Sequence, residues 1–329
     1  MLKITGNYFL GIFLYTLVII LLADFGRILL KYVFHASWIH SRTAFTVAGA
    51  ICALLILLLS ACGIFHAKYI KTTSYDVIIN KTIPERTSMK VVLLADTHFG
   101  YNAGVLHARE LVRKINKQKP DLVCIAGDIF DNEYDAIRNP EKLEKTLRGI
   151  KSTYGVYACW GNHDLNEEIL AGFTFKHKDG DLSDIKDPRM KKFLEDSNIH
   201  ILEDESVLIN DQFYVIGRKD ASLTEKIHET RKAPAQLTEK LNRDKPIIMI
   251  DHQPKELQEL ADAGVDLDLC GHTHNGQTFP GNFTIKLMWE NPCGLLSKDN
   301  IILRLPEPVS GGRQCVSALT VKSVLLIFN

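Results

Sequence analysis

Short apolar runs that each end in a polar cluster recur along the chain, and they constrain its fold more than any other feature. The runs with their polar ends are VVLLADTHFG, DLVCIAGDIFDN, GVYACWGNHD, PIIMIDHQP and VDLDLCGHTHNG. Runs of roughly four to six apolar residues bounded by Gly, Pro, Asp or Asn are typical of buried β-strands, and residues 108–118 and 140–150 have helical character. The pattern predicts a layered α/β fold. The polar clusters then fall at strand ends, where open α/β sheets place ligand sites.

The first part of the chain is apolar enough for a membrane. Residues 44–65 carry no charged side chain, which meets the requirement of about 20 residues for a helix that crosses a bilayer. The earlier apolar run, residues 8–23, could belong to a signal peptide, but no small-residue cleavage site follows it. We therefore predict a membrane region over residues 1–67, with a hairpin of two transmembrane helices at about 7–30 and 44–66. A linker over 68–89 and a globular domain over 90–300 are expected to follow.

Charge and cysteine usage bound the partners and the compartment. Lys+Arg and Asp+Glu both number 39, so no global field argues for nucleic acid or for an acidic membrane surface as a partner. The apolar spans, rather than charge, make the membrane the expected partner, and no nucleic-acid partner is expected. Positive charges lie both between and outside the two spans, so the positive-inside rule does not decide which side the domain faces. The seven cysteines lack a CxxC or regular spacing, which favours buried thiols, a reducing compartment and hence the cytoplasmic face. The oligomeric state is left open.

The polar clusters are rich in metal-ligand side chains. They contain Asp96, His98, Asp128, Asp131, Asn162, His163, Asp164, His252, His272 and His274. Any one alone is explained by a cap or a turn, but hydrogen-bonding needs would not gather five of twelve histidines at the ends of apolar runs. Mixed imidazole, carboxylate and amide ligands suit Mn, Fe or Zn rather than calcium, and a carboxylate can bridge two ions. The sequence therefore predicts two divalent metal ions.

ADTHFG, GDIFDN, GNHD, DHQP and GHTHNGQ together resemble the calcineurin-like metallophosphoesterases, whose ordered signature is DxH, GDxxD, GNH(D/E), a lone His and GHxH. The resemblance covers residues 91–278. Together with the predicted membrane hairpin, the residues of the DHQP and GHTHNGQ motifs look most like those of bacterial membrane-anchored phosphoesterases. It implies an α/β fold in which two mixed β-sheets pack face to face as a sandwich with helices outside, and a catalytic domain over 90–300.

The family pattern also implies a role for each site residue. Asp96, His98 and His274 would bind the first ion, Asp128 would bridge, and Asn162, His252 and His272 would complete the second site. His163 would be the general acid that protonates the leaving oxygen. Asp131 would hold the His163 imidazole in the required tautomer. A hydroxide between the ions would attack a phosphate mono- or diester.

Residues 301–329 depart from the family pattern, which closes with a strand, a glycine-rich turn and a Trp-Gly-Pro element. Back-translated codons of residues 305–324, read in a shifted frame, permit SGAGVWGPAMRVGTDSEIC, which resembles that element. We therefore predict that a frameshift has scrambled this atypical tail and removed an edge strand from the second sheet. None of the assigned ligands lies in the tail.

Two other functions stay open on the sequence alone. A nuclease would use the same ions, but it would want a basic surface or aromatic stacking groups near the site, and the sequence has no such cluster. A non-catalytic scaffold or sensor would be expected to lose ligands or the acid, whereas every assigned position is filled. The leading hypothesis is a membrane-tethered phosphoesterase. Tethering favours a lipid-linked or envelope substrate and leaves a water-soluble nucleotide open.

Overall fold

The computed structural model describes residues 2–66, 69–84, 86–167, 169–170, 173–174, 186–276, 281–298, 301–305 and 315–323. It divides into two compact units, the first made of residues 1–68 with 170–173 and the second of residues 69–169 with 174–329. The first unit is helical and the second is α/β.

Two long apolar helices make up the N-terminal unit. α1 spans Leu2–Tyr32 and α2 spans Arg42–His66, with a 3-10 turn at Ser37–His40 between them. Within them, Tyr8–Tyr32 and Arg42–Phe65 have mean hydropathies of 2.3 and 2.6 and are long and apolar enough to cross a bilayer. The prediction of two N-terminal apolar helices is confirmed. Both helices extend beyond the predicted limits, because the polar residues that flank each apolar run continue the helix.

The α/β unit contains two β-sheets flanked by helices. Its helices are α3 (Val105–Gln118), α4 (Pro140–Leu147), α5 (Pro188–Asp196), α6 (Ala221–Lys226), α7 (Pro234–Thr238), α8 (Leu257–Asp262) and α9 (Gly281–Met288). Its strands are β1 (Lys71–Ile79), β2 (Ser88–Leu94), β3 (Leu122–Ala126), β4 (Val156–Cys159), β5 (Ile169–Leu170), β6 (Phe173–Thr174), β7 (His200–Ile201), β8 (Glu205–Ile209), β9 (Phe213–Gly217), β10 (Ile247–Ile250), β11 (Leu267–Leu269), β12 (Gly294–Lys298), β13 (Ile301–Leu305) and β14 (Cys315–Ser323).

Both large sheets are mixed, as predicted. The order across the first is β1-β14-β2-β3-β4-β7, and the order across the second is β12-β13-β11-β10-β9-β8. In the first sheet β2, β3, β4 and β7 run parallel, and β14 runs antiparallel to β2. In the second sheet β9, β10, β11 and β13 run parallel, and β8 and β12 are antiparallel edges. The strands that precede the polar clusters are therefore parallel neighbours within each sheet.

The central strands bury both of their faces. Val91 and Leu93 of β2 lie in the core between the sheets, together with Ile248 of β10. Val92 and Leu94 point the other way, into a core formed with α3, α4 and α5. The side chains of β10 divide in the same way between the central core and a third core formed with α7 and α8. Strands buried on both faces are continuous apolar runs rather than alternating ones, which is why they stand out in the sequence.

The structure differs from the predicted linker over residues 68–89. Lys71–Ile79 forms β1 at the edge of the first sheet, where Val77 and Ile79 are buried and Ile78 is exposed. A strand with one buried face mixes polar and apolar residues and has the composition of a loop. The α/β unit therefore begins at Tyr69 rather than at residue 90.

The described part of the tail, residues 301–305 and 315–323, also forms strands. β13 lies inside the second sheet between β11 and β12, and β14 lies between β1 and β2 in the first sheet. These positions differ from the predicted loss of an edge strand, since ladder hydrogen bonds use main-chain groups that every residue except proline offers in full. The frameshift itself stays a prediction, and residues 306–314 and 324–329 lie outside the described ranges.

Candidate metal centre

Five loops bring the predicted site residues together. Asp96 and His98 follow β2, Asp128 follows β3, Asn162 and His163 follow β4, His252 follows β10, and His272 and His274 follow β11. Since β2, β3 and β4 are parallel, as are β10 and β11, each loop leaves its sheet at the carboxyl end. Main-chain hydrogen bonds tie the loops to one another, from Asp96 N–H to the Gly127 carbonyl oxygen (3.0 Å) and from Gly271 N–H to the His252 carbonyl oxygen (2.9 Å).

The ligand-type side chains form two adjoining groups. The outer group is Asp96, His98, Asp128 and His274, and the inner group is Asp128, His252 and His272. Within each group, one ligand atom per residue lies within 4.8 Å of every other. Asn162 adjoins the inner group, with its Oδ1 atom 3.0 Å from Nε2 of His252. Asp128 belongs to both groups, and this mixture of imidazole, carboxylate and amide donors fits Mn, Fe or Zn.

The inner group is deeply buried and its central imidazole is fixed. His252 has no exposed surface, and its Nδ1–H donates to the Ala126 carbonyl oxygen (2.8 Å). That bond leaves Nε2 directed at the centre, 3.2 Å from Oδ2 of Asp128 and 3.3 Å from Nδ1 of His272. Metal-binding histidines are commonly held by a hydrogen bond on the nitrogen that does not bind the ion.

The outer group is more open. The His98 and His274 side chains are 24% and 21% exposed. His98 Nε2 lies 3.7 Å from Oδ2 of Asp128, and His274 Nε2 lies 3.7 Å from Oδ1 of Asp96. Asp96 accepts hydrogen bonds from the main-chain N–H of His272 at 3.0 and 3.1 Å, so the two groups are also linked through the backbone.

Burial and mutual charge set the protonation of these side chains. Burial lowers the pKa of His98 and of His272 to about 3, so both imidazoles are neutral and able to bind a metal ion. Burial opposes the charged forms of Asp128 and His252, but the attraction between them outweighs it. The pKa of Asp128 therefore lies well below its usual value, and the pKa of His252 lies well above it. The inner group thus holds a proton that a metal ion would displace.

Several site residues have left-handed backbone. They are Asp96 (φ 55°), His98 (φ 41°), Asp128 (φ 50°), His272 (φ 72°) and His274 (φ 45°). Sparsely populated conformations cost on the order of 1–3 kcal/mol each and cluster at functional sites. Asp and His adopt this conformation more often than most residues do. The rest of the domain therefore stabilises strained backbone that turns these side chains towards one another.

Glycines let the loops touch. A Cβ atom on Gly127 would lie 2.6 Å from Nδ1 of His252, and one on Gly271 would lie 2.9 Å from Oδ2 of Asp96. A Cβ atom on Gly161 would overlap the main chain and side chain of Asp128. The glycines before Asp128, Asn162 and His272 are therefore needed for close approach.

The structure adds Asn132 to the predicted site, and the orienting role of Asp131 stays a prediction. Nδ1 of His163 is paired with Oδ1 of Asn132 at 2.7 Å, whereas Oδ1 of Asp131 lies 3.7 Å from Nδ1 of His98. Asn132 has a left-handed φ of 62°, and its main-chain N–H donates to the His163 carbonyl oxygen (3.2 Å). This turn directs the Asn132 side chain towards His163. The only sequence signal was an Asn, a residue type that favours left-handed backbone.

Asp164 connects the two loops that carry Asp128 and His163. Its Oδ1 accepts from Phe130 N–H (2.8 Å) and its Oδ2 accepts from Gly161 N–H (2.7 Å), so it joins the loops after β3 and β4. Arg218 is buried, with Nη1 3.2 Å from Oδ2 of Asp251. Arg218 therefore has a structural, ion-pairing role.

Two mixed sheets whose strand ends carry two adjoining groups of metal-ligand side chains define an α/β domain with a candidate metal centre. A family model described as calcineurin-like phosphoesterase matches residues 89–276, more than half of the chain, and this range contains every residue of both groups. The protein belongs to the calcineurin-like phosphoesterase family.

The chain is similar to proteins whose names refer to a metallophosphoesterase or a pyrophosphatase. The chain is 32% identical over 210 residues to an uncharacterized metallophosphoesterase of Campylobacter jejuni, covering 61% of this chain and 48% of that protein. It is 27% identical over 252 residues to a Bos taurus transmembrane protein with metallophosphoesterase domain, covering 73% and 52%. It is 22% identical over 267 residues to the UDP-2,3-diacylglucosamine pyrophosphatase LpxG of Chlamydia trachomatis, covering 71% and 77%. The chain spans about half the length of the first two relatives.

Proposed function

We propose that the protein is a membrane-anchored phosphoesterase that holds two divalent ions and hydrolyses phosphate mono- or diesters. The observation that carries the proposal is the pair of ligand groups that share Asp128, with donor atoms within 4.8 Å of one another in each group. Family membership supports the reaction class.

The proposed ligands follow the two groups. Asp96, His98 and His274 would hold one ion, Asn162, His252 and His272 the other, and Asp128 both. Bound there, two divalent ions supply positive charge that neutralises phosphoryl oxygens and acidifies water. Their identity among Mn, Fe and Zn stays a prediction.

His163 is the proposed general acid. Its Nδ1–H donates to Oδ1 of Asn132 (2.7 Å), which leaves Nε2 to carry the proton that goes to the leaving oxygen. Its main-chain N–H donates to Oδ1 of Asp128 (2.8 Å), so the acid and the shared carboxylate are joined through one hydrogen bond. Its ring centre lies 5.3 Å from that of His98, next to the outer group.

The apolar helices α1 and α2 support anchoring in a membrane, as does the relative named a transmembrane protein. The relative named a diacylglucosamine pyrophosphatase supports a lipid-linked substrate. The cytoplasmic orientation stays the prediction made from the cysteines.

The test is hydrolysis of an aryl phosphate and an aryl phosphodiester by the full chain with Mn²⁺, together with metal analysis. We expect metal-dependent turnover that falls by about 100-fold or more in His163→Ala, the size of a lost acid contribution. His200→Ala is the matched control, because His200 is exposed and stacks on Tyr157, on the short edge strand β7. Equal rates in wild type and His163→Ala would remove His163 from the reaction.

A further inference from the structure

The exposed face of α9 is apolar. Leu287 is 89% exposed, Met288 is 74% exposed and Phe283 is 60% exposed. On a helix with 3.6 residues per turn, Phe283 and Leu287 lie on one side and Met288 lies about 100° further round, while Ile285 and Trp289 lie on the remaining side and are partly buried. A helix on the surface of a globular domain normally turns its polar side to water. Exposed apolar patches of this kind mark interaction sites.

This face adjoins the metal centre. The ring of Trp289, the residue after α9, packs edge-on against the ring of His272 with centroids 5.3 Å apart. The loop between β11 and α9 is also fastened, since Thr273 Oγ1 donates to the Pro292 carbonyl oxygen. α9 therefore adjoins the inner group through Trp289, and its exposed apolar residues face away from His272.

The surroundings of α9 favour a lipid surface over a protein partner. Lys286 is exposed within the helix, and Nζ of the exposed Lys255 lies 5.6 Å from the ring centre of Trp289. Aromatic and aliphatic residues on one face with lysines beside them are typical of helices that lie in the membrane–water interface.

We propose that the exposed apolar face of α9 docks in the membrane–water interface and so holds the adjoining metal centre close to lipid-linked phosphate esters. The proposal rests on the proposed function, since it takes the membrane tether and the hydrolytic centre as given. The docked face would bring the ester's headgroup to the metal centre while its acyl chains stay in the bilayer.

Photo-crosslinking tests the docking without relying on catalysis. The full chain is placed in nanodiscs of phosphatidylethanolamine and phosphatidylglycerol with Leu287→p-benzoylphenylalanine, illuminated and analysed by mass spectrometry. We expect lipid adducts at residue 287. The control is Leu208→p-benzoylphenylalanine, on β8 at the opposite edge of the second sheet from β12. Adducts to a second copy or to the chain itself, equal lipid adducts at both positions, or none at residue 287 would each overturn the proposal.

A hydrolysis assay in the same nanodiscs separates docking from chemistry. Leu287→Glu with Met288→Glu should lower hydrolysis of embedded phosphatidic acid by about tenfold or more, and change hydrolysis of a soluble aryl phosphate by less than about twofold. Leu208→Glu should change neither rate. Equal loss on both esters would mean that α9 supports the fold of the site, and would overturn docking. If the wild type hydrolyses neither ester while residue 287 still crosslinks to lipid, the proposed function fails and the docking stands.

Discussion

The inner and outer groups share Asp128, but they are held in different ways. In the inner group, His252 is fully buried and its Nδ1–H is bonded to the Ala126 carbonyl oxygen. In the outer group, His98 is 24% exposed, and its Nδ1 makes no hydrogen bond within the described part of the chain, with Asp131 3.7 Å away. An imidazole that is already oriented loses less freedom when it binds an ion. The comparison predicts that an ion in the inner group would be held more firmly than an ion in the more exposed outer group.

The largest expected effect comes from the residue that the two groups have in common. Asp128→Asn keeps the shape of the side chain but removes its charge, so both ions should be lost. We expect activity to fall by about 1,000-fold or more, because charge stabilisation by such ions amounts to several kcal/mol. Inductively coupled plasma mass spectrometry measures the metal content, and the aryl phosphate assay measures the activity. Asp135→Asn, at an exposed carboxylate paired with Arg189, is the control. Retention of two ions would contradict a shared ligand.

Removing one histidine from each group tests the difference directly. After dialysis, His274→Ala should retain about one ion per chain, held by the inner group, whereas His252→Ala should retain clearly less. The reason is that the remaining ligands are fixed in the first variant and loosely held in the second. Metal analysis at a series of dialysis times measures the retention. If both variants lose metal at the same rate, the two groups do not differ in strength.

A smaller effect is expected at Asp131. Because its carboxylate lies beside Nδ1 of His98, Asp131→Ala should weaken binding of the outer ion by about 10- to 100-fold, the usual cost of losing a residue that orients a ligand. Binding of the inner ion should not change. Titration of the metal-free variant with Mn²⁺ resolves the two steps. Unchanged binding of both ions together with slower turnover would mean that Asp131 acts on His163, as the sequence suggested.

The smallest effect concerns protons. Since the pKa of His252 lies well above its usual value, an ion that enters the inner group must displace the His252 proton, whereas His98, with a pKa of about 3, is already neutral. Inner-group affinity should therefore fall as pH falls, by up to about tenfold per pH unit. Calorimetry in buffers of different ionisation enthalpy counts the protons released when an ion binds. We expect about one proton per ion bound by the His274→Ala variant and almost none for the His252→Ala variant. Equal proton release by the two variants would contradict the proposal that an ion in the inner group displaces the His252 proton.

The sequence predicted which side chains meet, because the rule that places them is general. Parallel strands present their carboxyl ends together, so polar residues after β2, β3, β4, β10 and β11 converge whatever the details of the loops. Strands buried on both faces were found for the same reason. β1 was missed because its single buried face gives it the composition of a linker.

The sequence did not predict which side chain contacts His163, because that contact depends on a backbone conformation that composition does not reveal. Asp131 and Asn132 are adjacent, and the left-handed φ of Asn132 decides which of them reaches His163. The exposed face of α9 was also missed, since burial depends on which side of a helix meets the domain.

The contact between Gly161 and Asp128 has a consequence for how the protein tolerates mutation. Where two chain segments meet with no room for even a methyl group, the distance between them is fixed by the backbone. A saturation scan for activity should therefore rank Gly161 with the ligand residues, although a glycine offers no side chain to bind anything. Positions where substitution abolishes activity would then include the close contacts between loops as well as the metal-ligand residues.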